Sequence, residues 1–391
     1  MPKISTSVVS EIMTEYARLS GLSPAGFPSH RYLWTDAFAA CNFLELYRQT
    51  GDEHYKNLSL LLVDQVHAIL GRHRSDDPRT GRISGLDEVE GALHPTIGGL
   101  RIGKIMNERK PEDHFDESLE WDRDGQYYHY LTQWMHALAC VSRATGNPDF
   151  NGWAMELAKT AHARFAYATP SGGGKRLYWK MSIDLSYPLV SSMGHHDPLD
   201  GLITYSELQA TAAKYSGRPP SQDLRVEIAE MAVICEGKDW TTDDSLGIGG
   251  LLVGAYRMAQ LIIGDGFTRP DFLDSVLDAS LVSLGYFARK SSLKLPAAAR
   301  LAFRELGLSI GLQAIKRMQG LLEQYPAIFR KKELMNSRIR SLIRYAGLSE
   351  LINEFWLDGK NRESDSWKEH RSINMVMLAA SLSPDGYLSS L

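Results

Sequence analysis

The sequence predicts an all-α fold of helical hairpins, stacked or closed into a ring, and three observations carry that prediction. A polar, aromatic-rich lead-in runs into an apolar helix, a turn signal and a second, amphipathic helix, and this unit recurs along most of the chain. The turn signals keep one register. Thr50-Gly51-Asp52 precedes His54-Tyr55, and Thr145-Gly146-Asn147 precedes Asp149-Phe150. The first helix of each pair also carries apolar residues on more than one face, as with Phe38, Phe43, Leu44 and Leu46, so it must be buried nearly all round. An isolated hairpin cannot bury both its apolar faces, so neighbouring repeats must cover them.

The inner helices are expected at 33–49, 126–145, 199–216, 246–263, 301–320 and 368–382. Outer, more amphipathic helices are expected at 52–70, 149–165, 221–235, 270–289 and 331–346, with 6–19 supplying a sixth. Ser221-Gln222-Asp223 and Arg269-Pro270-Asp271 offer helix-start chemistry, a capping side chain or a proline in the first turn. Two connections are too long for turns. Residues 71–125 show no sustained period, and 168–195 hold a Gly172-Gly173-Gly174 turn followed by a strand-like alternation from Leu177 to Ile183. A third excursion, 357–367, is rich in charge. Long connections of this kind form lids or cavity walls. No low-complexity linker interrupts the chain, so residues 1–391 read as one domain.

Composition bounds the function. The chain has 391 residues, 43% hydrophobic and 23% charged, with a net charge of -4. That balance gives no basic field for nucleic acid. The densest cluster, Arg330-Lys331-Lys332 with Arg338, Arg340 and Arg344, is spaced like the solvated face of an outer helix. The most apolar stretch, 246–263, is interrupted by Tyr256, Arg257 and Gln260 and studded with Gly247, Gly249, Gly250 and Gly254. It reads as a buried helix packed closely on neighbours rather than a membrane span. Cys41, Cys140 and Cys235 lack metal-like spacing and are expected as buried, reduced thiols. The N-terminus shows no apolar signal region, and a soluble cytoplasmic protein is expected.

Given the register of the stops, Trp34-Thr35-Asp36, Asp124-Gly125-Gln126-Tyr127-Tyr128-His129 and His195-His196-Asp197-Pro198-Leu199-Asp200-Gly201, the chain resembles the six-hairpin glycosidase-like superfamily. That resemblance implies an (α/α)6 barrel or toroid of six inner and about six outer helices, with long loops and short β elements at the active-site end. It further implies a cavity at the amino ends of the inner helices where sugars bind and one or two carboxylates act.

Each inner helix starts with polar or aromatic residues. Arg31, Trp34 and Asp36 open the first, and Asp124, Tyr127, Tyr128 and His129 the second. His195, His196, Asp197 and Asp200 open the third; Asp244 opens the fourth; Arg304 and Glu305 lie near the start of the fifth; Trp367, His370 and Arg371 open the sixth. Acids before a helix are caps worth roughly 1 kcal/mol. Capping does not ask for Trp, Tyr, His and Arg at the same helix ends, whereas a sugar site needs flat apolar faces and charged hydrogen bonds. Glycosidic cleavage takes one acid to protonate the leaving oxygen and a second carboxylate to activate water or attack carbon. Asp124 and Asp36 lead as candidates, followed by Asp200 and Asp197, with Glu88 and Glu90 of the long loop as outsiders. Trp179 joins the substrate-binding set.

No metal or cofactor is expected. His129 and His136 stand two turns apart, roughly 10 Å along the axis, and adjacent His195 and His196 diverge. Arg101-Ile102-Gly103-Lys104 lacks the strand and helix of a phosphate cradle. The expected partner is a small carbohydrate, with neither nucleic acid nor membrane. The leading function is a glycoside hydrolase acting on a small or modified oligosaccharide. The alternatives are a sugar epimerase or isomerase with His proton transfer, and a non-catalytic carbohydrate-binding toroid.

Overall fold

The computed structural model describes residues 2–24, 29–169, 172–215, 223–290, 292–329 and 332–389. In chain order the helices are α1 (Pro2–Leu19), α2 (Leu33–Thr50), α3 (Glu53–Leu70), α4 (Glu88–Leu93), α5 (Glu117–Glu120), α6 (Tyr128–Thr145), α7 (Pro148–Phe165), α8 (Asp197–Ala213) and α9 (Arg225–Cys235). They continue with α10 (Ser245–Ile263), α11 (Pro270–Arg289), α12 (Ala302–Gln324), α13 (Lys332–Ile343), α14 (Leu348–Leu357), α15 (Asp365–Glu369), α16 (Arg371–Leu382) and α17 (Asp385–Leu388). Five short strands, β1 (Gln126–Tyr127), β2 (Ala166–Ala168), β3 (Lys175–Leu177), β4 (Lys180–Met181) and β5 (Pro188–Val190), sit between α5 and α8.

The expected inner helices are α2, α6, α8, α10, α12 and α16, and their starts show why boundaries move. Gln126 and Tyr127 pair with Met181 and Lys180 as β1 against β4, so α6 begins only at Tyr128. Helix α8 starts earlier than expected, because Pro198 fits the first turn, where its missing N–H costs nothing. The strand foreseen from Leu177 to Ile183 is split, with β3 pairing β2 and β4 pairing β1 and β5.

Among the outer helices, the expected caps Ser221 and Gln222 lie outside the described residues. Asp223 instead accepts from the Arg225 N–H at 3.0 Å and pairs with its guanidinium at 2.5 Å. Arg330 and Lys331 also lie outside them. Arg338 is no idle surface charge: it bridges to Asp274 and Asp278, each at 2.6 Å, fastening α13 to α11. Helix α14 is a further element, beyond the outer helix expected at 331–346.

The described residues form two compact units, one of residues 20–47 and 52–236, the other of 1–19, 48–51 and 237–391. In the first, α6 packs on α3, α7 and α8, and α8 on α7 and α9. The connection 71–125 holds α4 and α5 and is pinned by bridges between Arg72 and Arg82 and between Met106 and Arg123. At its end Gly125 has φ of 145°, and a Cβ there would lie 2.7 Å from the Met181 carbonyl oxygen. Only glycine lets the chain turn this close to β4.

In the second unit α10 and α12 cross with backbones touching. A Cβ on Gly249 would meet the Gly307 carbonyl at 2.2 Å, and one on Gly311 the Gly249 carbonyl at 2.5 Å. This is the close packing that the glycines of 246–263 imply. Helix α10 is long and apolar enough to cross a membrane, yet 72% of that stretch is buried inside the protein. Cys41, Cys140 and Cys235 are all buried free thiols, as expected.

Candidate functional site

The start of α6 is held from below by two buried polar side chains. Gln126 accepts from the Leu100 N–H at 2.8 Å and donates to the Ile183 carbonyl at 2.7 Å. Asp124 is fully enclosed. Its Oδ1 accepts from the Gly103 and Gly125 N–H groups at 2.9 and 3.1 Å, and its Oδ2 from Arg101 at 2.9 Å and Arg74 at 3.4 Å. Asp36 is 1% exposed, accepts from the Tyr32 N–H at 2.9 Å and pairs with buried Arg31 at 3.4 Å. Both carboxylates therefore sit in fixed hydrogen-bond sets that anchor the entries of α2 and α6. Arg31 is spent in the same way, donating also to the Ser20 carbonyl.

Above these anchors the aromatic residues converge. Tyr127 lies 5.2 Å from both Trp179 and Tyr130 and 5.6 Å from His129, ring centre to ring centre. Tyr130 meets His129 at 4.7 Å, Trp34 at 6.4 Å and Tyr32 at 5.6 Å, and the Tyr32 and Tyr130 hydroxyls are 2.8 Å apart. Trp121 stands edge-on to Trp179 at 5.3 Å. Tyr127 and Trp34 are buried, whereas Tyr32, His129, Tyr130 and Trp179 remain partly exposed. The result is a continuous aromatic surface with polar edges. The Lys104 ammonium lies 5.4 Å over the Tyr32 ring and borders a cleft of about 420 Å³ that Arg74 and Arg101 also line.

Asp197, in the first turn of α8, faces this surface. Its Oδ1 is 3.8 Å from His129 Nδ1, and its Oδ2 has no hydrogen-bond partner. A helix amino end favours an ionised acid, but burial outweighs it. Desolvation, helped by the nearby charge of Asp200, pushes the Asp197 carboxyl up to about 8, so it holds its proton at neutral pH. Burial likewise lowers His129 to about 4, leaving it a neutral imidazole. The His129 side chain is nevertheless 28% exposed, so a ligand can reach it. Gly194 completes the arrangement, since any Cβ there would fall within 2.5 Å of the Asp197 carboxyl atoms. His195 and His196 flank it with rings 4.6 Å apart, the first exposed and the second partly so.

One unit therefore gathers Trp34, Tyr127, His129 and Trp179 on one surface with Asp197 beside it, Asp200 a turn further along α8, and Asp36, Asp124 and Arg31 as its supports. Tyr128 points elsewhere: it is fully buried and donates to the Tyr205 hydroxyl at 2.8 Å. Glu88 ion-pairs with Arg72 and Arg82 on the exposed face of α4, where Glu90 also lies. In the other unit, Asp244 caps α10 through the Gly247 N–H at 3.0 Å and pairs with Arg304 at 2.5 Å. There Trp367 is buried against Trp356 at 5.6 Å, His370 meets Phe303 at 5.5 Å, and Arg371 pairs with Glu15 at 3.1 Å. The residues that sequence reasoning passed over are Tyr32, Tyr130 and Lys104. The first two extend the aromatic run around Arg31 and His129 by one position each, which was the available signal.

No protein-family model matches the sequence, and no curated protein is similar to it in sequence. Solved structures are similar in fold. A GH76 α-mannanase from Bacteroides thetaiotaomicron shares 10% identity over 96% of each chain, with a TM-score of 0.53. A GH76A α-1,6-mannanase from a Salegentibacter species shares 10% identity over 97% of this chain and 99% of its own, with a TM-score of 0.50. A cellobiose 2-epimerase from Spirochaeta thermophila has 12% identity over 95% of this chain and 97% of its own, at a TM-score of 0.48. The two mannanases show the fold: all-α, of the (α/α)6 type.

Proposed function

We propose that the chain is a carbohydrate-active enzyme, a glycoside hydrolase acting on a small or modified oligosaccharide. The observation that carries this reading is the protonated Asp197 carboxyl, its Oδ2 without a hydrogen-bond partner, at the edge of an aromatic surface. Partly exposed Trp179, Tyr130 and Tyr32 offer flat faces for a sugar ring. Asp197, neutral at working pH, is the proton donor to the leaving glycosidic oxygen. Asp200 is its carboxylate partner. Residues three apart on a helix have Cβ atoms about 5–6 Å apart, which lets the two carboxyl groups reach the separation that two-carboxylate hydrolysis uses. Asp124 and Asp36 act as positioning residues, fixing the helix entries that carry the aromatic surface. The shared fold with two mannanases supports an α-linked glycan as the first substrate to try.

A second reading, sugar epimerisation or isomerisation by proton transfer, is favoured by one observation: the neutral, partly exposed His129 imidazole beside protonated Asp197. A base and an acid in contact suit abstraction and return of a proton at a sugar carbon. The test is a glycan panel assayed in deuterated water with wild type, Asp197→Asn and Asp200→Asn. Cleavage by wild type that falls about a hundredfold or more in both variants supports hydrolysis. Deuterium entering an uncleaved sugar selects the second reading, and no turnover of any sugar by wild type rejects both.

A further inference from the structure

Two turns below His129, away from the aromatic surface, α6 carries a second group of chemically active side chains that the sugar chemistry does not use. His136 and Cys140 are four residues apart and so lie on one face of α6, and Cys41 of α2 meets them. All three are buried, and the imidazole nitrogen and the two sulfurs lie within 4.8 Å of one another. We infer that Cys41, His136 and Cys140 form a binding site for a zinc ion.

Four features of the cluster support this. The first is distance. Zinc bonds of about 2.3 Å to sulfur and about 2.0–2.1 Å to nitrogen at the tetrahedral angle place the two donor atoms about 3.5 Å apart. His136 Nε2 and Cys140 Sγ are separated by 3.6 Å. The second is tautomer. His136 Nδ1 lies 2.8 Å from Glu207 Oε2, and Glu207 also takes a hydrogen bond from Arg143 at 2.9 Å. A carboxylate only accepts, so in the neutral imidazole Nδ1 carries the hydrogen and Nε2 turns its lone pair toward Cys140. This carboxylate–histidine support is the one that orients metal-bound imidazoles.

The third feature is charge. Two thiolates neutralise a zinc ion, and Arg143 neutralises Glu207, so the loaded cluster adds no net charge to the interior. Arg143 also donates to Cys140 Sγ at 3.1 Å, a contact that favours the thiolate a metal needs. The fourth is donor type: soft sulfur with imidazole selects zinc over magnesium or calcium. Three protein ligands leave one position of a tetrahedral ion for water or a small molecule. Burial implies loading during folding rather than exchange afterwards.

The experiment is metal analysis of the full chain purified without chelators, followed by refolding of the metal-free chain with zinc or cobalt. The expected result is about one zinc per chain. Cobalt loading should give a near-ultraviolet thiolate-to-metal band and the visible bands of a tetrahedral ion. Cys140→Ser and His136→Gln should lose the metal, Glu207→Gln should bind it about ten- to a hundredfold more weakly, and Cys235→Ser should be unchanged. The cobalt spectrum of the wild type stands even where a ligand variant fails to fold. Natively refolded chain that takes up neither metal, or a Cys41–Cys140 disulfide in its place, would overturn the assignment.

Discussion

His129 Nδ1 lies 3.8 Å from Asp197 Oδ1, and that nitrogen and Asp197 Oδ2 are both buried without a hydrogen-bond partner. Buried polar atoms are almost always paired. Two neighbouring side chains each keep one such orphan beside a partly exposed aromatic surface. Burial also shifts the two groups in opposite directions, keeping the acid protonated and the imidazole neutral.

The Asp197 carboxyl should leave a signature in stability. Its folded-state value of about 8 lies above the ordinary value of about 3.9 for an unfolded chain. Between roughly pH 4 and 8 the folded chain holds one proton more than the unfolded one, so stability falls as pH rises through that window and levels off above it. The slope from this group is at most about 1.4 kcal/mol per pH unit. Urea unfolding of wild type and Asp197→Asn at pH 5 and pH 8 should show the variant gaining relative stability at the higher pH. A constant difference would mean that Asp197 titrates normally.

Asp124 should behave as an anchor. Replacing it with Asn leaves Arg101 and Arg74 facing a neutral group in a buried setting, at a cost of about 3–5 kcal/mol. Chemical denaturation measures the loss, and limited proteolysis should cut within 71–125 first, because Arg74 and Arg101 of this connection lose their charged partner. A variant as stable as wild type but inactive would instead place Asp124 in the chemistry.

The aromatic surface should bind. Trp179→Ala removes a partly exposed face held by Tyr127 and Trp121, and should weaken glycan binding by about 1–2 kcal/mol. Calorimetry on the inactive Asp197→Asn background reads this directly. Tyr32→Phe loses only the 2.8 Å hydroxyl contact to Tyr130 and should cost about 1 kcal/mol of stability.

The α10–α12 crossing should tolerate no side chain. Gly249→Ala forces a Cβ against the Gly307 carbonyl and should destabilise by about 1–3 kcal/mol or more. Gly250→Ala, one residue on and open to space, should stabilise by up to about 1 kcal/mol through helix propensity. Thermal unfolding of the pair separates packing from propensity.

The helices were legible because burial repeats with the helical period, and the stops at Gly51 and Gly146 both take the left-handed backbone, with φ of 71° and 73°. What local sequence does not reveal is which acid is enclosed. Asp124 and Asp197 both stand at an inner-helix start, yet Asp124 is closed off by Arg101, which is distant in sequence, while Asp197 meets His129 across two helices. Those partners come from tertiary packing, and so did the pairing of β1 with β4 that displaced the start of α6. Tyr32 and Tyr130 meet only through tertiary packing, 98 residues apart in the chain. Cys41 joins His136 and Cys140 from 95 residues away, a spacing that no short motif contains.

The most direct measurement is the pH dependence of turnover, on whichever glycan the wild type accepts, by wild type and Asp197→Asn. A proton donor with a value of about 8 predicts that wild-type activity falls on the alkaline side with that midpoint, and that the variant is slower by about a hundredfold or more and lacks the alkaline limb. Equal rates, or an alkaline limb that survives in the variant, would contradict the assignment of Asp197 as the acid.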